Sequence, residues 1–298
     1  MAAGAIEGGA SAGVGADGRV LAPFGRRRAA VVANEPTGGY RLFSAADAVG
    51  PLPRAGQFYM LASERGWGGG GDRPYLPRAF SVADATRDDR GVRLSFLLED
   101  VGPGTAALAR VEAGDGLLLT GPLGRGFSSP DELNPDASGA ILVGGGIGLA
   151  PLALWRRELG SRGIPERSLL GFRDRAHSGG MELFRCSEVR LASEDGHAGH
   201  RGYVTDLLAV MLEGDGAAGA AVYACGPPTM LEAVRALCEA RGVEAELAME
   251  SPMACGFGAC FGCAMPLRGG GYMRLCVDGP VVRTAAVETA LVAGAGHR

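Results

Sequence analysis

Four cysteines crowd the last part of this 298-residue chain, spaced Cys255-x4-Cys260-x2-Cys263-x12-Cys276. Only three others occur, Cys186, Cys225 and Cys238, each isolated. A C-x4-C-x2-C run with a fourth, more distant cysteine is the plant-type [2Fe–2S] spacing, in which four thiolates converge on a small anionic core. Gly256, Gly258 and Gly262 lie between the first three cysteines. Glycines there let the backbone wrap closely and turn N–H groups toward sulfur. Zinc is the rival ligand, but zinc modules usually present two close pairs, and only Cys260-x2-Cys263 is such a pair. Disulfides would suit a secreted chain, and nothing here reads as a secretory signal.

Other stretches suit phosphate-bearing cofactors. Gly144-Gly-Gly-Ile-Gly148 follows an apolar strand-like run and opens a helix-like one. Such a turn presents backbone N–H groups and a helix start to a phosphate, although it departs from G-x-G-x-x-G and equally serves tight strand–helix packing. Tyr223-Ala-Cys-Gly-Pro-Pro228 ends another strand-like run. In an open parallel sheet both turns face the ligand crevice. Arg78-Ala-Phe-Ser81 offers a guanidinium for a phosphate and a hydroxyl for a ring heteroatom, and Val101-Gly-Pro-Gly-Thr105 precedes a short helix. Gly121-Pro-Leu-Gly-Arg-Gly-Phe127 is a glycine turn that linking alone explains. The four histidines, His177, His197, His200 and His297, are poorly spaced for metal or acid–base work, and His197-Ala-Gly-His200 reads as a solvent-exposed loop. No Ser/His/Asp triad or carboxylate pair stands out. Redox chemistry needs none, because cofactors carry it.

The elements that must position these residues fall into two rhythms. Short β-type runs at Arg28–Ala33, Tyr40–Phe43, Gln57–Ala62, Ala79–Ala83, Val92–Leu98 and Leu117–Thr120 predict a small antiparallel barrel, with joints such as Glu35–Gly39 and Asp88–Gly91. A Gly-rich insertion within Glu64–Arg73 interrupts one hairpin, and a short helix is expected near Thr105–Val111. After a polar joint at 128–139, strands and helices alternate: Ala140–Val143, a helix to Leu159, Ser168–Phe172, Val189–Ser193, helical Tyr203–Leu212, Ala220–Cys225, helical Pro228–Ala240 and Glu244–Met249. That alternation predicts a parallel α/β sheet with helices on both faces. The expected division is a disordered tail over 1–25, a barrel over 26–127, an α/β domain over 138–248 and a cysteine module over 249–298.

Composition narrows the class. Hydrophobic residues make up 47%, enough for real cores, and the formal net charge is −4. All 29 residues counted as Lys or Arg are Arg, without a basic run that would favour nucleic acid. No uninterrupted apolar stretch is long enough to span a membrane. An odd cysteine count without a signal points to a reducing cytoplasm.

Taken in order, Arg-x-Phe-Ser at 78–81, Gly-x-Gly-Thr at 102–105, Gly-Pro-Leu-Gly-x-Gly-Phe at 121–127, Gly-Gly-Gly-Ile-Gly at 144–148 and Cys-Gly-Pro at 225–227 resemble the ferredoxin-reductase superfamily. MACGFGACFGC with CVDGPVV at 276–282 is more specific, and resembles the electron-transfer subunits of class 1B dihydroorotate dehydrogenases. The resemblance spans roughly residues 26–282. It implies a multi-domain α+β protein: an antiparallel FAD-binding β-barrel, a Rossmann-like NAD domain and a C-terminal [2Fe–2S] module. It implies FAD contacts from Arg78, Ala79, Phe80, Ser81, Leu97, Leu98, Glu99, Gly104 and Thr105. It implies nicotinamide-nucleotide contacts from Gly144, Gly145, Gly146, Cys225 and Gly226, and cluster ligation by Cys255, Cys260, Cys263 and Cys276. The expected partner is an FMN-containing catalytic subunit, in a heterotetramer of two of each, with NAD⁺ as final acceptor. The alternative is a similar NAD(P)H:acceptor subunit serving a hydrogenase, a sulfite reductase or a ferredoxin. Ala79 stands where the family commonly has Pro, and Glu99 where many relatives carry a basic residue, so backbone contact with FAD is expected there. Glu194 and Asp195 are the candidates for reading the nucleotide ribose.

Overall fold

The computed structural model describes residues 25–68, 71, 73–184, 188–213 and 219–292. Residues 1–24 of the tail expected over 1–25, together with Cys186, His297 and part of the Gly-rich insertion, lie outside them.

Short strand-forming runs, alternating in β5 and buried throughout in β3, build the first half into six strands: β1 (Arg27–Thr37), β2 (Tyr40–Asp47), β3 (Phe58–Ser63), β4 (Arg78–Asp88), β5 (Gly91–Leu98) and β6 (Gly116–Leu123). They close as an antiparallel barrel in the order β1-β2-β5-β4-β3-β6. Between β5 and β6 runs the short helix α1 (Pro103–Ala109), two residues earlier than expected because Pro103 suits a first helical position. The β1–β2 joint is tighter than Glu35–Gly39: Thr37 pairs with Tyr40, leaving Gly38 and Gly39 as the turn, with Gly38 at φ 61°. Phe43, Tyr59, Phe80 and Phe96 fill the interior. At one barrel end the buried pair Arg27–Asp47 closes at 2.6 Å, and Arg27 also donates to the Gly121 carbonyl.

A helical turn, α2 (Pro130–Leu133), occupies the polar joint. Beyond it come β7 (Gly139–Gly145), α3 (Leu149–Ser161), β8 (Glu166–Phe172), β9 (Val189–Ser193), β10 (His200–Arg201), α4 (Val204–Glu213), β11 (Ala220–Cys225), α5 (Pro228–Arg241) and β12 (Ala245–Ala248). The last segment adds the hairpin β13 (Ala264–Pro266) and β14 (Tyr272–Arg274), and then β15 (Val281–Arg283). The main sheet runs β10-β9-β8-β7-β11-β12-β15, parallel throughout except for β15, which pairs antiparallel with β12. The cysteine-bearing segment therefore ends as an edge strand of the nucleotide-type sheet.

Period-two alternation sorts the sheet side chains between two layers. Ala140 and Leu142 of β7 and Ala221 and Tyr223 of β11 pack with α3 and the barrel. Ile141, Val143, Val222 and Ala224 pack with α4, α5 and the cysteine module. Barrel and sheet are joined by aromatic contact. Phe127 leaves the barrel and meets Trp155 of α3 and Tyr223 of β11, with ring centroids 5.4–5.8 Å apart in all three pairings. Two carboxylates, one buried and one half-buried, reinforce the seam. Glu246 of β12 accepts the Ser128 N–H at 2.8 Å and its hydroxyl at 2.7 Å, and Glu158 of α3 accepts the Ala55 N–H at 2.8 Å. Burial pushes both carboxyl groups above their ordinary range, while these same hydrogen bonds pull them back.

Trp155 is 1% exposed, so Trp155→Ala is expected to destabilise the chain by about 3–5 kcal/mol through loss of apolar burial and a residual cavity. A lowered urea midpoint at unchanged slope is the measurement that checks it.

Candidate redox site

Two clefts open where the carboxyl ends of the parallel strands meet the barrel, the place where an open α/β sheet binds its ligand. The smaller, about 340 Å³, is lined by Phe58, Arg78, Ala79, Phe80, Ser81 and Leu97 on the barrel side, with Thr105 beside them. Its opposite wall is Ile147, Gly148, Cys225 and the run from Ala248 to Met253. Of the residues expected to contact FAD, Leu98 is buried in the barrel core instead of lining this cleft. Its position in β5 directs it inward, opposite to Leu97. Gly104 fits through contact with Arg78: a Cβ there would stand 2.5–2.8 Å from the guanidinium. Arg78 also lies over the Trp67 ring at 5.8 Å and donates to the Leu76 carbonyl. Trp67, from the Gly-rich insertion, thus packs beside the motif arginine. Thr105 caps the start of α1 by accepting the Val101 and Gly102 N–H groups at 2.9 and 3.0 Å.

The larger cleft, about 820 Å³, is lined by Tyr40, Gly145, Gly146, Arg173, His177, Glu194, Pro227 and Met230 among others. The glycine turn is needed on two counts. Gly146 sits at φ 54°, and a Cβ on Gly148 would come 2.4–2.5 Å from the backbone of Cys225 and Gly226. The two turns therefore press directly on each other, and only glycine allows it. Gly144 stays inside β7, against Leu149, Leu152 and Leu170, and supports the turn without lining the cleft. Cys225 is buried, and burial drives its thiol far above the ordinary range.

Sequence reasoning left His177 aside because its neighbours carry no metal or acid–base spacing. The fold carries it against the barrel, with Nδ1 2.7 Å from Asp174 and Nε2 3.7 Å from the Glu99 carboxylate. Hydrogen bonds from His177 hold the Asp174 carboxyl down at about 2. Glu99 accordingly faces this cleft with its side chain as well as its backbone. His197, expected to be exposed, is half-buried and bonded to Asp195 at 2.7 Å. Glu194 lines the larger cleft, whereas Asp195 is not among its walls.

The cysteines stand as two pairs. The Cys276 N–H points at Cys263 Sγ at 3.4 Å, and these two thiols interact. Cys255 and Cys260 form the other interacting pair, and the Gly262 N–H points at Cys260 Sγ at 3.5 Å. Among the described residues no three His, Cys, Asp or Glu side chains are grouped as they would be around one metal ion. The donor set is all sulfur, and its electrostatics are uneven. Burial alone would raise the Cys255 thiol, but hydrogen bonds from the Cys260, Phe257 and Ala259 backbone bring it down to about 6. Burial and the neighbouring Cys263 push Cys276 up to about 12. Cys260 is exposed, while Cys263 and Cys276 are buried with Phe58 and Met60 of β3. A Cβ on Gly256 would stand 2.5 Å from Met60, so the cysteine loop rests on the back of a strand that also lines the smaller cleft.

Comparison with known proteins agrees with this arrangement. The family model described as the iron-sulfur cluster binding domain of dihydroorotate dehydrogenase B matches residues 250–288. The chain is 39% identical over 218 residues to the dihydroorotate dehydrogenase B (NAD(+)), electron transfer subunit of Bacillus caldolyticus, covering 72% of this chain and 80% of the relative. The corresponding protein of Clostridium acetobutylicum is 36% identical over 228 residues, covering 76% and 83%. Among solved structures, that of an NADH-dependent reduced ferredoxin-NADP oxidoreductase superposes with a TM-score of 0.73 at 23% identity, covering 90% of this chain and 92% of that one. A ferredoxin NADP+ reductase from Neisseria gonorrhoeae gives 0.58 at 19% identity, covering 73% and 92%. Both share the barrel-and-sheet fold.

Glu194→Gln is expected to weaken discrimination against the 2′-phosphorylated dinucleotide about tenfold, the scale of one lost hydrogen bond to a charged group. Asp195→Asn should leave it unchanged. The ratio of kcat/KM for NADH and NADPH as flavin reductants is the measurement.

Proposed function

The chain belongs to the family of dihydroorotate dehydrogenase B (NAD(+)) electron transfer subunits, and from that premise we propose how its own residues carry the task. The protein is a flavin and iron–sulfur oxidoreductase subunit with FAD, a [2Fe–2S] cluster and NAD as cofactors. The electrons it passes on come from a catalytic partner. We take that partner to be an FMN-containing dihydroorotate dehydrogenase subunit, assembled two-and-two with this chain. The cluster exchanges single electrons, and FAD turns two of them into one hydride for NAD⁺.

In this reading Cys255, Cys260, Cys263 and Cys276 hold the cluster. Arg78 and the start of α1, with Gly104 and Thr105, hold the FAD diphosphate. Ala79, Phe80, Ser81, Leu97 and the Glu99 backbone flank the rest of the flavin, with Leu98 supporting from the core. Gly145, Gly146 and Gly226 hold the dinucleotide, backed by Gly144, and Cys225 stands in the wall of the flavin cleft beside the glycine turn. One observation carries the proposal. The wall of the smaller cleft runs through Met253, and Cys255 is two residues further on, within about 7 Å of chain. A cluster on that loop lies beside the flavin cleft. The exposed Cys260, with Phe257 and Phe261 exposed around it, supports the loop as the face toward the partner. A redox partner other than a dihydroorotate dehydrogenase subunit has only the shared fold in its favour.

Among the described residues no helix is long and apolar enough to cross a membrane.

Two outcomes test the assignment. Expressed alone, the chain should not oxidise dihydroorotate, and should do so when co-expressed with its partner; unaided turnover would contradict the reading. Cys263→Ser should lower electron exchange with the partner at least a hundredfold while NADH still reduces bound FAD at close to its normal rate. Loss of both activities with FAD still bound would show that the cluster does not lie at the partner end of the path.

A further inference from the structure

Three residues line both clefts: Glu99, Ile147 and Glu250. They mark the passage where a flavin in the smaller cleft meets a nicotinamide in the larger, and two of the three are acidic. Glu99 follows the last residue of β5, on the barrel. Glu250 follows β12 and stands five residues before Cys255, on the opposite wall. The acidic groups therefore approach the passage from both sides, with the apolar Ile147 of the glycine turn between them.

Cationic groups are nearby but are placed differently. Arg78 lines only the smaller cleft, where it lies over Trp67. Arg173 and His177 line only the larger one. Arg173 donates to Asp174 at 3.4 Å, and the same carboxylate bonds His177 at 2.7 Å, so that pair already has an anionic partner. His177 Nε2 also lies 3.7 Å from Glu99, which offsets part of that carboxylate's charge. The Glu250 charge reaches the passage wall itself, where it adds to the effect of burial in raising the Cys225 thiol.

Oxidised nicotinamide is a pyridinium ring with one positive charge, and the reduced ring is neutral. The rest of the dinucleotide is the same in both forms. A pair of carboxylates at the ring distinguishes the two by Coulomb interaction alone, and in a half-buried cleft that interaction exceeds its value in water. We propose that Glu250, assisted by Glu99, makes the nicotinamide end of this site selective for the charged ring, so that the protein binds NAD⁺ in preference to NADH and releases the reduced product. No bond is made or broken by these residues; their effect is on which form of the ring is held. The inference rests on the assignment of the two clefts to flavin and dinucleotide made above.

The test is calorimetric titration of the full-length, FAD-loaded protein with NAD⁺ and with 1,4,5,6-tetrahydro-NAD, whose ring is neutral and cannot reduce flavin. Glu250→Gln should shift the ratio of the two dissociation constants roughly fivefold toward the neutral ring, mostly by weakening NAD⁺. Glu99→Gln should shift it in the same direction by less, and Glu250→Asp should keep most of the wild-type ratio. The flavin spectrum reports that each variant is folded and loaded, and Glu99→Gln carries the test if Glu250→Gln is not. An unchanged ratio, or an equal loss for both ligands, overturns the proposal while leaving the assignment of the clefts intact. Failure of wild-type protein to bind either dinucleotide overturns both.

Discussion

Phe127, Trp155 and Tyr223 meet where the barrel gives way to the sheet, and the barrel wall of the smaller cleft is held against its sheet wall across that seam. Electron and hydride transfer depend steeply on distance, so a rigid joint matters more here than any single reactive side chain. The seam has little freedom to slide. Its aromatic rings are interlocked, and Glu246 and Glu158 reach across it to backbone N–H groups. Removing either carboxylate would leave a part-buried donor without that partner, which makes the joint specific as well as tight.

The second constraint is economy of chain. Residues 248–253 wall the smaller cleft, supply Glu250 to the passage and lead directly into Cys255, the first of the four clustered cysteines. The same segment returns as β15 to pair with β12, so the cysteine loop is fastened at both ends to one sheet. Met60 and Phe58 pack beneath it. A cluster held there moves with the scaffold that holds flavin and nucleotide, and its potential can be tuned by the N–H groups aimed at sulfur.

Much of this was legible in the sequence, for physical reasons. An alternating strand such as β5, a continuous apolar strand such as β11, and helices opened by proline, such as α5, announce themselves through local pattern. So does the cysteine spacing, because a small inorganic core tolerates few loop lengths. What stayed hidden depends on tertiary approach. β13, β14 and β15 are three residues each, too short for a period to show. His177 lies in a loop whose neighbours give no hint that folding will carry it to Glu99. Gly148 is required by the backbone of Cys225, far away in sequence. Glu250 adjoins a conspicuous cysteine motif, yet only the assembled clefts reveal that it stands between them.

The central claim is an order in space: dinucleotide, flavin, cluster. It is tested most directly by mixing anaerobic NADH with protein from which FAD alone has been stripped, and following the iron–sulfur absorption and the reduced-cluster electron paramagnetic signal. The account predicts that the cluster stays oxidised until FAD is restored, and is then reduced only after the flavin bleaches. Reduction of the cluster by NADH at the normal rate without flavin would contradict it.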